Sequence, residues 1–141
     1  MSVRTHDQVS VGEELPGLTL HVDRATLVGY AGASGDRNVI HWDERFARSV
    51  GLPDVIAHGM WTMGAAVEVV TSWVGDPGRV VDYGTRFTRP VVVPYEEGAD
   101  VEVSAKVTSL DEQTRRAVVD VTATCAGEKV LGRCRVTVQL D

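Results

Sequence analysis

Asp36, Asn38 and His41 stand close together in the stretch Tyr30 to Trp42, YAGASGDRNVIHW. A carboxylate and an imidazole five residues apart are two groups able to pass a proton at neutral pH. The imidazole needs little tuning, because its ordinary pKa is ~6.5. The carboxylate must be partly desolvated to be useful, and Val39, Ile40 and Trp42 are apolar flanks that could supply this. Asn38 adds an amide that can fix the turn or orient a partner. A structural reading competes: Asp and Asn in a glycine-bounded turn commonly satisfy their own backbone. A single His beside a Trp is more often packed than reactive, so spacing alone favours the structural reading.

A second stretch changes that balance. In Ile56 to Met60, IAHGM, Gly59 opens a long apolar segment. Free N–H groups at a helix start point along the helix dipole and can hold a negative oxygen. Gly59 could equally serve close packing there. His58 is read as a structural hydrogen-bonding residue. An acid–base pair with an oxyanion site suits chemistry next to a carbonyl. Removing a proton α to a thioester makes an enolate-like oxygen that needs such donors. Losing a β-hydroxyl as well needs an acid for the leaving group, and one His–Asp pair with a water-sized gap could do both, in either direction.

These residues must be positioned by the elements around them. Leu18 to Val22 alternates as a short strand, Asp23 caps a helix over Arg24 to Ala33, and Gly35 ends it. Asp43 caps a second helix, Glu44 to Val50, with Phe46 and Ala47 facing inward, stopped by Gly51-Leu52-Pro53. From Gly59 to Val74 the only charge is Glu68, which predicts a helix buried all round, stopped at Gly75-Asp76-Pro77-Gly78. Val80 to Val93 carries Pro90, so that strand is interrupted or lies at an edge. Three further segments alternate with period two: Val101 to Val107, Val119 to Cys125 and Cys134 to Leu140. They predict an antiparallel meander with one wet face. Asp111-Glu112-Gln113 is the turn after the first of them. A sheet curling around an apolar helix gives an α+β domain in two layers, one domain over residues 1–141.

Bulk properties narrow the function classes. With 43% apolar and 24% charged residues the chain is ordinary for a globular protein. The net charge of −6 speaks against nucleic acid as a partner. There is no apolar run long enough to span a membrane and no signal-peptide core in MSVRTHDQVSVGEELPG, so a cytoplasmic location is expected. His6 in that polar tail and His21 in the first strand receive no role. If Gly127-Glu128 turns a hairpin, Cys125 faces Val130 and Cys134 lies too far along for a disulfide. No metal-ligand cluster or phosphate loop is recognisable, so the chemistry should need no cofactor. Arg86, Arg89, Arg133 and Arg135 are candidates for a basic patch toward an acidic carrier protein, or simply solvated strand faces.

Tyr30, Gly35-Asp36-x-Asn38-x-x-His41 and Ala47 resemble the signature of MaoC-like, R-specific enoyl hydratases of the hot-dog fold. Ile56 to Met60 resembles that family's helix entrance. The likeness continues through Thr71-Ser72-Trp73-Val74-Gly75-Asp76-Pro77-Gly78 and Arg86-Phe87-Thr88. That wider run looks most like the catalytic B-subunit branch, the mycobacterial 3-hydroxyacyl-ACP dehydratases. The resemblance implies an antiparallel sheet wrapped round a central helix, Gly59 to Val74, in domains that pair edge to edge with substrate tunnels at the interface. It implies that Asp36 and His41 hold the water, that the Gly59 N–H binds the thioester oxygen, and that Asn38 supports the site. It implies acyl-CoA or acyl-carrier-protein substrates, in metabolism of the fatty-acid, mycolic-acid or polyketide type, and a homodimer or a heterodimer with a related subunit. The family usually has proline where this chain has Val39, a change that loosens the turn modestly. Two rivals remain at this point, a hot-dog thioesterase and a non-catalytic subunit that shapes an acyl tunnel for a partner.

Overall fold

A computed structural model describes residues 3–141. Six antiparallel strands form one sheet: β1 (Leu18–Val22), β2 (Val80–Phe87), β3 (Ala99–Asp111), β4 (Arg116–Cys125), β5 (Glu128–Lys129) and β6 (Leu131–Gln139). Their spatial order is β1-β3-β4-β6-β2, with β5 paired to β4. The period-two segments are β3, β4 and β6 at the centre. Val101, Val103, Val107, Val119, Val136 and Val138 are buried on one face, and Glu102, Lys106 and Arg135 are exposed on the other. The expected meander is therefore present, and β2, ending before Pro90, is an edge strand as expected.

Four helices complete the fold: α1 (Arg24–Ser34), α2 (Glu44–Ser49), α3 (Gly59–Ala66) and α4 (Glu68–Val74). Asp23 caps α1 through the Thr26 N–H, and Gly35 ends it at φ 77°, a left-handed conformation that suits glycine. Ala66, Val69, Val70, Trp73 and Val74 join the strands' inner residues in one core. This is an α+β hot-dog arrangement, a curled antiparallel sheet around a central helical segment.

Three features differ from the sequence expectation. The central helix is not continuous and not buried all round. Its ladder breaks at Val67, where the Tyr83 hydroxyl donates at 2.7 Å to the Met63 carbonyl that a continuous helix would offer to residue 67. Its outer face, with Met60 58% exposed and Gly64 open, has no sheet over it. Phe46 is exposed rather than inward; Ala47 alone of that pair is buried, because six residues give α2 only a narrow inner stripe. The last hairpin turns at Ala126 and Gly127, φ 51° and 79°, with Cys125 opposite Glu128 and not Val130. A register shift before β6 then sets Val121 opposite Cys134, and both cysteines are free.

The polar N-terminal stretch is also built in. Leu15 N–H and Gly12 N–H donate to the Ala105 and Val107 carbonyls, so residues 12–15 extend the β1 edge along β3. His6 is buried beside the chain's last residue, its N–H donating to the Asp141 carbonyl. Composition could not reveal this, since backbone pairing carries no residue signature. His21 is exposed, as expected, with Nδ1 2.7 Å from Asp100 Oδ1.

Candidate active site

The turn after α1 is organised by its own polar side chains. Asp36 Oδ1 accepts from the Asn38 N–H at 3.1 Å, and Asn38 Oδ1 accepts from the Ile40 N–H at 3.2 Å. Asn38 thereby caps the 3-10 turn Val39–His41, and Trp42 Nε1–H closes over it onto the Arg37 carbonyl at 3.1 Å. The structural and chemical readings of Asp36 coexist, because its two oxygens divide the work. Oδ1 holds the turn, while Oδ2 lies 3.9 Å from His41 Nε2. That is too far for a direct hydrogen bond and suited to a bridging water.

His41 is held from its other side. Its Nδ1–H donates to the Ile56 carbonyl at 2.6 Å, which leaves the Nε2 lone pair facing Asp36. The Ile56 N–H returns a bond to the Ile40 carbonyl at 3.2 Å. Residues 55–57 pair in turn with 91–93, through Ala57 N–H to Val91 O and Val93 N–H to Val55 O, both 2.9 Å. Arg24 locks the outside of this assembly. Its guanidinium lies 2.8 Å from both Glu44 and Asp54, and Nε–H donates to the Val93 carbonyl at 2.9 Å.

Burial falls on the imidazole, not the carboxylate. His41 is buried, and desolvation lowers its pKa below the ordinary value. The Ile56 hydrogen bond opposes that shift, His58 adds to it, and Asp36 opposes it. Asp36 was expected to be desolvated by Val39, Ile40 and Trp42, yet its side chain is 54% exposed. The reason is its place at the exposed start of the turn, ahead of those flanks; Trp42 is itself exposed.

Gly59 is the first residue of α3, and among the described residues nothing accepts its N–H. The Phe87 ring, at the end of β2, lies against Gly59 so closely that a Cβ there would sit 3.0 Å from it. A cavity of about 400 Å³ touches both His41 and Gly59, with Ile40, Thr62, Phe87 and Leu131 among its walls. His41 and Gly59 thus share one cavity, while Asp36 stands 3.9 Å from His41 without being among the cavity's walls, and Asn38 lies beside it in the turn. The Ile56 carbonyl and the Phe87 wall were not foreseen. A backbone carbonyl leaves no mark in the sequence, and Phe87 meets the site only through sheet closure.

Asp36, His41 and His58 offer ligand atoms within 4.8 Å of one another, the spacing of a metal site. The geometry speaks against that use. His41 Nδ1 and His58 Nε2 each already face a backbone carbonyl. The two rings stack with planes 20° apart and centroids 3.7 Å apart, so their remaining lone pairs lie in nearly parallel planes and do not meet at one tetrahedral ion. Of the four arginines considered for a basic patch, Arg89 pairs with Glu128 at 3.5 Å and Arg135 with Asp120 at 2.8 Å.

A family model described as "MaoC like domain" matches residues 7–126. A 3-hydroxybutyryl-CoA dehydratase of Methylorubrum extorquens is 34% identical over 81% of this chain and 71% of its own length. An (R)-specific enoyl-CoA hydratase of Rhodospirillum rubrum is 30% identical over 78% of this chain and 74% of its own. A solved MaoC-like dehydratase superposes with a TM-score of 0.96 at 47% identity, covering 99% of this chain and 43% of the other, so the chain spans less than half of that protein. The chain belongs to the MaoC-like dehydratase family, and its class of chemistry is that of a hydro-lyase. Among the described residues no helix is long and apolar enough to cross a membrane.

Proposed function

We propose that the protein interconverts trans-2-enoyl and (R)-3-hydroxyacyl thioesters of CoA or a carrier protein, using Asp36 and His41 on one water and the Gly59 N–H on the thioester oxygen. The observation that carries this reading is the 3.9 Å gap between Asp36 Oδ2 and His41 Nε2, beside a cavity that also reaches Gly59. In hydration, the pair takes a proton from the water as its oxygen bonds to C3. Electron density moves to the thioester oxygen, where the Gly59 N–H meets it. The proton held by the pair then passes to C2, so water is added across the double bond with nothing left over. Dehydration runs the same steps backward. Neutral His41, with Nδ1–H tied to Ile56, is in the tautomer this needs at Nε2.

The working unit proposed is a dimer, with itself or with a related subunit. The unpaired β2 edge, exposed Val81 and Phe87, and the open face of α3 at Met60 support it. A partner there would cover the exposed Phe87 wall of the cavity and lengthen it into an acyl channel. The solved relative that spans more than twice this chain has room for a second such unit.

The test is a screen of purified protein against enoyl thioesters of increasing length, on CoA and on a carrier protein, beside folded His41→Ala. Consumption of the enoyl group with (R)-3-hydroxy product, lost by roughly 10²–10⁴-fold in the variant, supports the assignment. Full activity in His41→Ala rules out the mechanism. Release of free thiol from saturated acyl-CoA, without hydration, would make the protein a thioesterase instead.

A further inference from the structure

We propose that His58 is a positioning residue for the Asp36–His41 pair, holding both members from the tip of α3. The inference rests on the reading of that pair as the acid–base site. His58 is 2% exposed and immediately precedes Gly59. Its Nε2–H donates to the Asp36 backbone carbonyl at 3.0 Å. Its ring stacks on that of His41, centroids 3.7 Å apart and planes 20° apart, and Tyr30 packs against it at 4.8 Å. One side chain thus touches the residue that carries the carboxylate and the ring that carries the imidazole.

Local stability does not account for a histidine here. His58 occupies the N-cap of α3 but makes no capping hydrogen bond, where Ser, Thr, Asp or Asn would satisfy a free N–H. Its Nδ1 is buried with no partner, a penalty that an apolar side chain of similar shape would avoid. What the imidazole adds is the hydrogen bond to Asp36 and a flat face for His41. The Ile56 carbonyl fixes one nitrogen of His41, and the stack fixes the plane, so Nε2 can only aim at the Asp36 side. The Gly59 N–H belongs to the peptide group that starts at the His58 carbonyl. A single residue therefore sets the distance between the proton-moving pair and the oxyanion donor.

The experiment compares His58→Gln, His58→Asn and His58→Phe with the wild type, on the enoyl thioester the wild type hydrates fastest. Gln carries an amide nitrogen where Nε2 lies, Asn carries one nearer Nδ1, and Phe keeps the stacking face without a donor. For folded Asn and Phe variants, kcat should drop by roughly 10- to 100-fold with KM little changed, and Gln should recover most of the loss. Wild-type kcat in Asn or Phe, or a Gln variant as slow as both, overturns the proposal. Should those variants not fold, imidazole nitrogen NMR of the wild type decides. His58 as the Nε2–H tautomer supports the contact, and the Nδ1–H tautomer refutes it. A wild type inert on every enoyl thioester removes the acid–base assignment itself and the proposal with it. An active wild type with indifferent variants removes only the role of His58.

Discussion

His41, the proton carrier proposed above, has a fixed tautomer and a lone pair left open. The Ile56 carbonyl sets the first, and the gap to Asp36 leaves the second. Its burial has a consequence for stability. The folded pKa lies below the unfolded value of ~6.5, so the unfolded chain binds the extra proton first. His41's contribution is complete above about pH 6.5 and lost as pH falls through the folded value. Thermal melting of wild type and His41→Gln between neutral and acid pH should show a steeper acid loss in the wild type; parallel curves would contradict it. Val39 offers a second prediction. It is the first residue of a 3-10 turn, its N–H has no acceptor among the described residues, and Asn38 before it sits at ψ 131°. Proline fits all three conditions. Val39→Pro should raise unfolding free energy by about 0.4–1 kcal/mol, read from denaturant midpoints with an unchanged slope. A loss would mean the turn is strained for proline.

Elements place these residues, and the elements were unevenly legible. The strand alternation of β3, β4 and β6 was plain, because a sheet with one buried face writes its period into the sequence. The caps Asp23 and Asp43 and the stop at Gly35 were equally readable. The candidate residues Asp36, Asn38 and His41 were readable because one short turn holds their types together, and Gly59 because it opens an apolar helix. What holds them was not: the 55–57 ladder, the Arg24 clamp and the His41–His58 stack depend on contacts between distant segments. The break between α3 and α4 was hidden too, because no glycine or proline marks Val67. There the Tyr83 hydroxyl donates to the Met63 carbonyl, and burial and, less, Cys134 push its phenol well above its ordinary pKa. Tyr83→Phe should therefore cost about 1–2 kcal/mol in denaturant melts, while leaving Asp36 and His41 in place. A change below a few tenths would show that the carbonyl finds another donor.

At the scale of the whole molecule, the two sheet edges differ. Residues 12–15 and β1 share one edge, whereas β2 presents Val81 and Phe87 next to the uncovered face of α3. A protein that pairs with itself should show a solution mass of about twice the chain's 15.2 kDa. Val81→Lys, placing a charge on that edge, should shift the protein toward monomer and lower activity together. A monomeric wild type with full activity would show that one chain closes its own site. Whether Asp36 and His41 act on a single water is read from a double-mutant cycle. Hydration rates of Asp36→Asn, His41→Gln and the double variant should be strongly non-additive, the double variant no slower than the worse single one. Independent, multiplying losses would contradict a shared water.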